Sequence, residues 1–529
     1  MRMKYFFYFL TLFIGVNNWA QFGSIASQYC IGATSNDILI KDAVLDNGNR
    51  VVLFCSESSA GGDKTENCRG GDDIWVLCLD PNDQIVWQKT IGGIQNDHAF
   101  DLLITLDQSI YLSCSTWSPP SFEQTNLLYG NCDAWLIKMN SSGDILWNKN
   151  YGGYDYDYFS KLIELPSGNL ITFGISASGI SGNKTSINYG YADIWSLKLD
   201  PNGTILNDQT IGGSYFEDKP RVVQTAPNRI KLVAESASEV SGLKTEPCFG
   251  DTDIWVLDLD TNCNIIQQKT IGGTASDTPN DVLWSMNGEL LILATSWSNI
   301  SGLKTENSYG YSDNWILKSD ENLNIIQQKT IGGDLYEYEG RFIEMPNGNL
   351  CIATTTESTS NQFQSEQEIG NSDIWIYLLD PSFNVLADQT IGTIQYEVNV
   401  WIRSNANQTE LNMLMSSNGD DTNDKTCPSK GAFDCWGVRM NATLDIIEEQ
   451  SPNKLSIYPN PSTGDFRFKG LADLSGQLRI QVSNTYGQIV WEESITDANQ
   501  QFTIESPGVY LVSILENDQM VQTFKLLRY

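Results

Sequence analysis

Histidine is nearly absent: His98 is the only one in 529 residues. Histidine-based metal catalysis is excluded by that count, and a Ser-His-Asp or Cys-His mechanism would have to be built on His98 alone. Positive charge is also scarce. With 32 Lys and Arg against 65 Asp and Glu, the formal charge is −33, and nucleic acid and anionic lipid both repel such a polyanion. Neither is expected as a partner. No CxxC pair marks a zinc site. No Gly-rich phosphate loop leads a strand into a helix, because no stretch has the period of an amphipathic helix. Beyond the first 20 residues no apolar run approaches membrane-spanning length, so the mature chain is expected to have no membrane-spanning segment.

The first 20 residues have the order of a signal peptide. Arg2 and Lys4 precede an apolar stretch from Tyr5 to Val16, and Asn18-Trp19-Ala20 ends in a small residue. That core is too short for a stable spanning helix and reads as an export signal, residues 1–20. The chain is expected to pass to the periplasm by a Sec-type route and then to the cell surface or beyond. At 41% hydrophobic and 11% aromatic it can bury a large core.

The rest of the chain is dominated by one repeat. Tryptophan recurs at Trp75, Trp135, Trp195, Trp255, Trp315, Trp375 and Trp436, and an Ile-Gly or similar step recurs at Gly32, Gly92, Gly152, Gly212, Gly272, Gly332 and Gly392. A period of 60 residues held this strictly is one structural unit used seven times. Each unit reads as four antiparallel strands, with hairpin turns such as Asn47-Gly48, Asn287-Gly288 and Asn347-Gly348. A single four-stranded sheet cannot bury both its faces. Seven packed around an axis can, which predicts an all-β fold: a seven-bladed β-propeller over 21–450. A β-solenoid would need shorter rungs and would not favour these turns. Residues 25–31 align with the fourth strand but precede the first full unit. They are expected to complete the last blade, leaving 445–450 as an exit strand or linker.

The long loop between the second and third strands repeats as well. A glycine stands five residues before each tryptophan, and Asp73, Asp133, Asp193, Asp253, Asp313, Asp373 and Asp434 stand two before it. Lys64, Lys184, Lys244, Lys304 and Lys425 precede them in five units, with Gln124 and Gln364 in the other two. A residue needed seven times is rarely catalytic. These aspartates are expected to hold loop backbone and the tryptophans to pack between blades.

An acid also stands at one further position of every unit: Asp37, Asp97, Asp157, Glu217, Asp277, Glu337 and Glu397. Tyr156, Phe216, Tyr336 and Tyr396 precede four of them. These acids should ring one mouth of the channel, either as turn caps or as ligands of a cation. Hard oxygen donors without histidine or cysteine would suit calcium, with the aromatic neighbours as platforms for a sugar. No other cofactor is expected. Of eleven cysteines, Cys427 and Cys435 share one loop and are the expected disulfide.

After a linker at 451–454 the period stops. Residues 455–529 alternate strands and turns as a small Ig-like β-sandwich. Tyr458-Pro459-Asn460-Pro461 with Gly464, Tyr486-Gly487-Gln488, Gly508-Val509-Tyr510 and the Lys525-Leu526-Leu527 ending occur in order. With these marks the segment closely resembles the type A C-terminal sorting domain of the Bacteroidetes type IX secretion system. The resemblance implies recognition of 455–529 by that machinery, passage across the outer membrane, and release or attachment at the surface. The propeller is similar to the repeat-bearing proteins that often carry this tail, which implies no defined activity.

The expected function is therefore a secreted or surface-displayed binding module, for a glycan or a protein, and not an enzyme. A carbohydrate-active enzyme using paired carboxylates and a structural surface-layer protein are the alternatives. The aspartate-box pattern of sialidase-like propellers is absent. An enzyme would concentrate irregularity near the channel, where the repeat reads as regular.

Overall fold

The computed structural model describes residues 20–359, 363–405, 410–441, 456–458, 465–469, 478–484, 489–495, 502–504, 508–516 and 519–528. Residues 1–19 of the expected signal segment 1–20, the linker 451–454 and the segment 445–450 lie outside these. So do Pro459-Asn460-Pro461 with Gly464, and Tyr486-Gly487-Gln488. Two compact units divide the chain, Met1–Ile446 and Ile447–Tyr529.

In the first unit seven antiparallel sheets follow the 60-residue period. The first sheet shows the plan, with strands Asp37–Val44, Arg50–Ser56, Asp73–Leu79 and Ile85–Ile91 hydrogen-bonded in that order. Period-2 alternation is lost in the second and third strands, where Arg50–Ser56 and Asp73–Leu79 are almost entirely buried. That is the pattern of strands covered on both faces by neighbouring sheets. The first strands of consecutive sheets pack on one another, and Glu397–Ser404 of the last packs on Asp37–Val44 of the first, closing a ring. All-β propeller architecture follows from that closure.

The core lies between sheets. Trp135 of the second sheet is buried among Ile74, Val76 and Ile91 of the first, and Trp255 of the fourth among Phe173, Ile194 and Ile211 of the third. All seven repeated tryptophans are fully buried. In the first six the indole N–H donates to a side-chain oxygen thirteen residues on, as from Trp75 to Gln88 at 3.1 Å and from Trp315 to Gln328 at 3.1 Å.

Closure uses the N-terminus. Ile25–Ile31 pairs antiparallel with Asp434–Asn441 and supplies the outer strand of the last sheet. Just before it, Ala20–Gln21 pairs parallel with Val385–Ile391 at the edge of the sixth sheet, and Phe22 enters the core between the sixth and seventh. The disulfide differs from the expected one. Cys427 bonds Cys30, 397 residues away, while Cys435 is a free, buried thiol in a central strand. Sequence neighbourhood in one loop pointed to Cys435, but its side chain faces the core with Trp75 and Ile31.

The second unit contains two antiparallel sheets among its described residues. Ser456–Tyr458, Asp465–Lys469 and Phe502–Thr503 form one, and Ile489–Ile495, Leu478–Asn484, Gly508–Glu516 and Gln519–Arg528 form the other. Phe466 and Phe502 from the first share a core with Ile480, Val482, Val512 and Ile514 from the second.

Candidate functional site: the axial cavity and the loop face

Antiparallel order puts the start of the first strand, the end of the second, the start of the third and the end of the fourth on one side of every sheet. The long loops and the connections between sheets therefore share one face of the ring, and the tight hairpin turns occupy the other. Every exposed aromatic side chain among the propeller's described residues lies on that loop face. They include Tyr156, Phe216, Tyr336 and Tyr396 from the connections, with Tyr191, Tyr309 and Tyr311 from the long loops. Tyr311 stacks on Tyr336 with centroids 5.1 Å apart, and Tyr191 lies 6.0 Å from Tyr215.

The seven acids beside these aromatics are not displayed at the mouth. All are fully buried, because each turns inward to hold its own connection. Asp97 accepts the N–H of Gly93 at 2.6 Å and the hydroxyl of Ser118 at 2.9 Å. Glu337 accepts the N–H of Gly333 at 2.8 Å and the hydroxyl of Thr356 at 2.9 Å. Asp37, Asp157, Glu217, Asp277 and Glu397 make the same pair of contacts, a backbone N–H four residues back and a hydroxyl. That geometry is turn capping.

The loop aspartates complete these junctions. Asp133 accepts the N–H of Tyr129 at 2.8 Å, and Asp313 that of Tyr309 at 2.7 Å. Each sits close to the acid that opens the next sheet. A side chain at Gly332 would fall on Asp313 Oδ1 and Glu337 Oε2 together, which is why the Ile-Gly step carries no Cβ. Burial, opposed by backbone hydrogen bonds and reinforced by the facing carboxylate, raises Asp73, Asp193 and Asp373 to about 7 and Asp133 and Asp253 to about 6. Glu337 is raised to about 7, chiefly by burial. Among the described residues no three His, Cys, Asp or Glu side chains are grouped as a metal ligand set.

A different set of side chains lines the axis. Every inner strand carries a β-bulge at the same step, as between Leu39 and Lys41, Phe159 and Lys161, and Tyr338 and Arg341. A bulge bends the strand and re-aims its side chains, and here the residues at the bulges line a cavity of about 290 Å³. In three sheets the bulge holds a non-glycine residue in the left-handed region: Lys219 (φ 52°), Glu339 (φ 56°) and Asn399 (φ 55°). Such backbone is costly and persists only where its surroundings enforce it.

The residues just beyond the bulges are Lys41, Asp101, Lys161, Arg221, Asp281, Arg341 and Trp401, one from each sheet. Lys41 Nζ lies 2.6 Å from Asp101 Oδ1, and Lys161 Nζ lies 3.8 Å from the same oxygen. Arg221 Nε and Arg341 Nη1 both donate to the Asn280 carbonyl, at 2.6 and 3.0 Å. Lys41, Lys161 and Arg341 stand 5.7, 5.8 and 4.8 Å from the Trp401 ring centre. Burial lowers Lys161 to about 7, with Asp101 pulling upward and Arg221, Lys41 and Arg341 pushing further down. Burial and Arg341 lower Arg221 to about 10, still protonated at neutral pH. Asp101 is held below its ordinary value against burial by the charges of Lys161 and Lys41.

Sequence reasoning missed this set by treating the repeat as regular near the axis. The signal was present: four residues after each repeated acid, six of seven units place a charge inside a strand. His98, the lone histidine, contacts Asp72 at 2.9 Å on the loop face and does not reach the cavity lining.

Comparison with known proteins bears on the two units differently. A sequence family described as the secretion system C-terminal sorting domain matches residues 456–527. No curated protein matches the chain. Among solved structures, the chain is similar to a protein of unknown function from Dyadobacter fermentans (10% identity, TM-score 0.41, covering 79% of this chain and 99% of that one). It is similar to the WD40 domain of Neurospora crassa Pan2 (9%, TM-score 0.42, 80% and 97%) and to the endosialidase of phage phi92 (12%, TM-score 0.42, 95% and 79%). Among the described residues no helix is long and apolar enough to cross a membrane. The chain is thus an all-β propeller protein that ends in a type IX secretion sorting tail, an address outside the cell.

Proposed function

We propose that this protein is an exported binding module that holds a glycan on its loop face. The observation that carries the reading is the segregation of exposed aromatics: all of those described in the propeller lie on that face. An aromatic face with polar neighbours suits the apolar face and hydroxyl edge of a sugar ring. The sorting tail supports the reading, since export brings the propeller to where polysaccharides are met. The aromatics belong to several sheets, which favours an extended chain over a single ring. A glycan array probed with the exported protein tests this. Replacing Tyr156, Phe216, Tyr336 and Tyr396 together by alanine is expected to abolish glycan binding and leave the melting temperature within a few degrees. Equal binding by that variant would contradict the proposal.

A further inference from the structure

We propose that the axial cavity is a second binding site, separate from the loop face, for a small ligand bearing an oxyanion such as a carboxylate. The chain as a whole carries −33, yet Lys41, Lys161, Arg221 and Arg341, from four different sheets, gather at one level of its axis. The carboxylates around them are Asp101, Asp281 and Glu339, and the first two are engaged. Asp101 accepts Lys41 Nζ and the N–H of Leu162 at 2.9 Å. Asp281 accepts the N–H groups of Val282 and Phe342 at 3.0 and 3.3 Å.

The two guanidiniums are met by carboxylates only from a distance, as Arg221 is by Asp281, Asp218 and Asp101. Arg221 and Arg341 converge on the neutral carbonyl of Asn280, and among the described residues neither forms an ion pair. Like charges brought together away from water raise the free energy of the empty site, and an anion between them would offset that cost. Two planar donor forks suit an oxyanion, which each can grip with two N–H groups. Trp401, stacked under Arg341, offers an apolar wall beside the charges. The volume of about 290 Å³ sets the size at one sugar acid or comparable small molecule, at the low end for ligand pockets. Lys219, half exposed and paired with Glu235 at 3.2 Å, forms part of the wall. The left-handed backbone at Lys219, Glu339 and Asn399 fits a wall shaped for an occupant at the expense of local strain.

Lys161 gives the site a pH signature. Its amine faces Asp101, Lys41, Arg221 and Arg341, which together with burial keep its pKa near 7. An anion stabilises the protonated form, so binding takes up a proton and weakens as pH rises through that value.

The test is calorimetric titration of the full exported chain with glucuronate, inorganic phosphate and sulfate, with glucose as the neutral probe. Saturable binding of glucuronate at least tenfold tighter than glucose is expected, with affinity about tenfold higher at pH 6 than at pH 8. Arg341→Gln and Arg221→Gln should each weaken it at least tenfold while leaving the melting temperature unchanged or raised, since each relieves the repulsion between the two crowded guanidiniums. The alanine variants of the loop face should leave it intact, so the two sites fail or stand separately. Binding of phosphate or sulfate alone would support the site with an inorganic anion as its occupant. No saturable heat with any of the three anions, equal affinity for glucose and glucuronate, or a fall in melting temperature on Arg341→Gln without loss of affinity would overturn it.

Discussion

Trp436 donates its indole N–H to Gln28 Oε1 at 3.0 Å, across 408 residues of chain. Elsewhere the same bond spans thirteen residues within one sheet, so the N-terminal strand substitutes for a fourth strand of the last unit in side-chain chemistry as well as in backbone pairing. The Cys30–Cys427 bond fixes that strand in place. Closing a loop of this length is worth on the order of 6 kcal/mol in the chain-entropy account. Cys30→Ser and Cys427→Ser should therefore lower the melting temperature by similar amounts, and the double variant should be no worse than either. Melting the wild type with reductant should reproduce the loss. Cys435→Ser should behave differently, with a loss that reductant does not mimic.

Stability should fall as pH rises from about 4 to 7. Asp73, Asp193, Asp373 and Glu337 are raised to about 7 in the fold, so in this window the native chain holds more protons than the unfolded chain. Burying the ionised forms costs progressively more until pH passes their folded values. Carboxyls with lowered values, such as Asp101 and Asp208, act in the opposite sense at lower pH. Thermal melts should show a midpoint several degrees higher at pH 5 than at pH 8. A midpoint that climbs steadily from pH 5 to 8 would contradict the buried-junction geometry.

The framework was legible because it is repeated. Seven copies of Trp, Gly and Asp at fixed spacing leave little choice of architecture, and the offset copy at 25–31 pointed to closure by the N-terminus. The disulfide was not legible, since which thiol faces Cys30 depends on strand pairing across the whole ring. The axial set was hidden for a related reason. Lys41, Asp101, Lys161, Arg221, Asp281, Arg341 and Trp401 share a repeat position but no common residue type. Attention to what recurs passes over a place where the repeat varies. The seven acids were correctly singled out as recurring, but exposure cannot be read from recurrence, and a buried cap repeats as faithfully as a displayed ligand.

Glycine substitutions should separate crowding from backbone strain. Gly332→Ala would set its Cβ against Asp313 and Glu337 in a packed junction, and a loss of several kcal/mol is expected. Gly168→Ala meets nothing within 4 Å but has φ +79°, so its cost should stay near ~1 kcal/mol. Denaturant melts of the two variants give both values. Equal losses would mean that the junction yields more easily than its packing indicates.

Removing 455–529 should leave a folded propeller that is not delivered outside. The first unit contains its own closed ring and core, and the sorting tail carries the address. Fractionation of cells producing the truncated chain should find it in the periplasm, with a cooperative melt like that of the full protein. Normal yield in the medium would contradict the assignment of the address to the tail.

The most direct measurement of the binding account is hydrogen exchange with and without a glycan found on the array. Protection is predicted in the connections and long loops of the aromatic face, around Tyr156, Tyr191, Tyr311, Tyr336 and Tyr396. The hairpin turns of the opposite face, such as 45–49 and 285–289, should exchange at the same rate in both states. Protection concentrated on those turns, with the aromatic connections unchanged, would contradict the claim that the loop face holds the ligand.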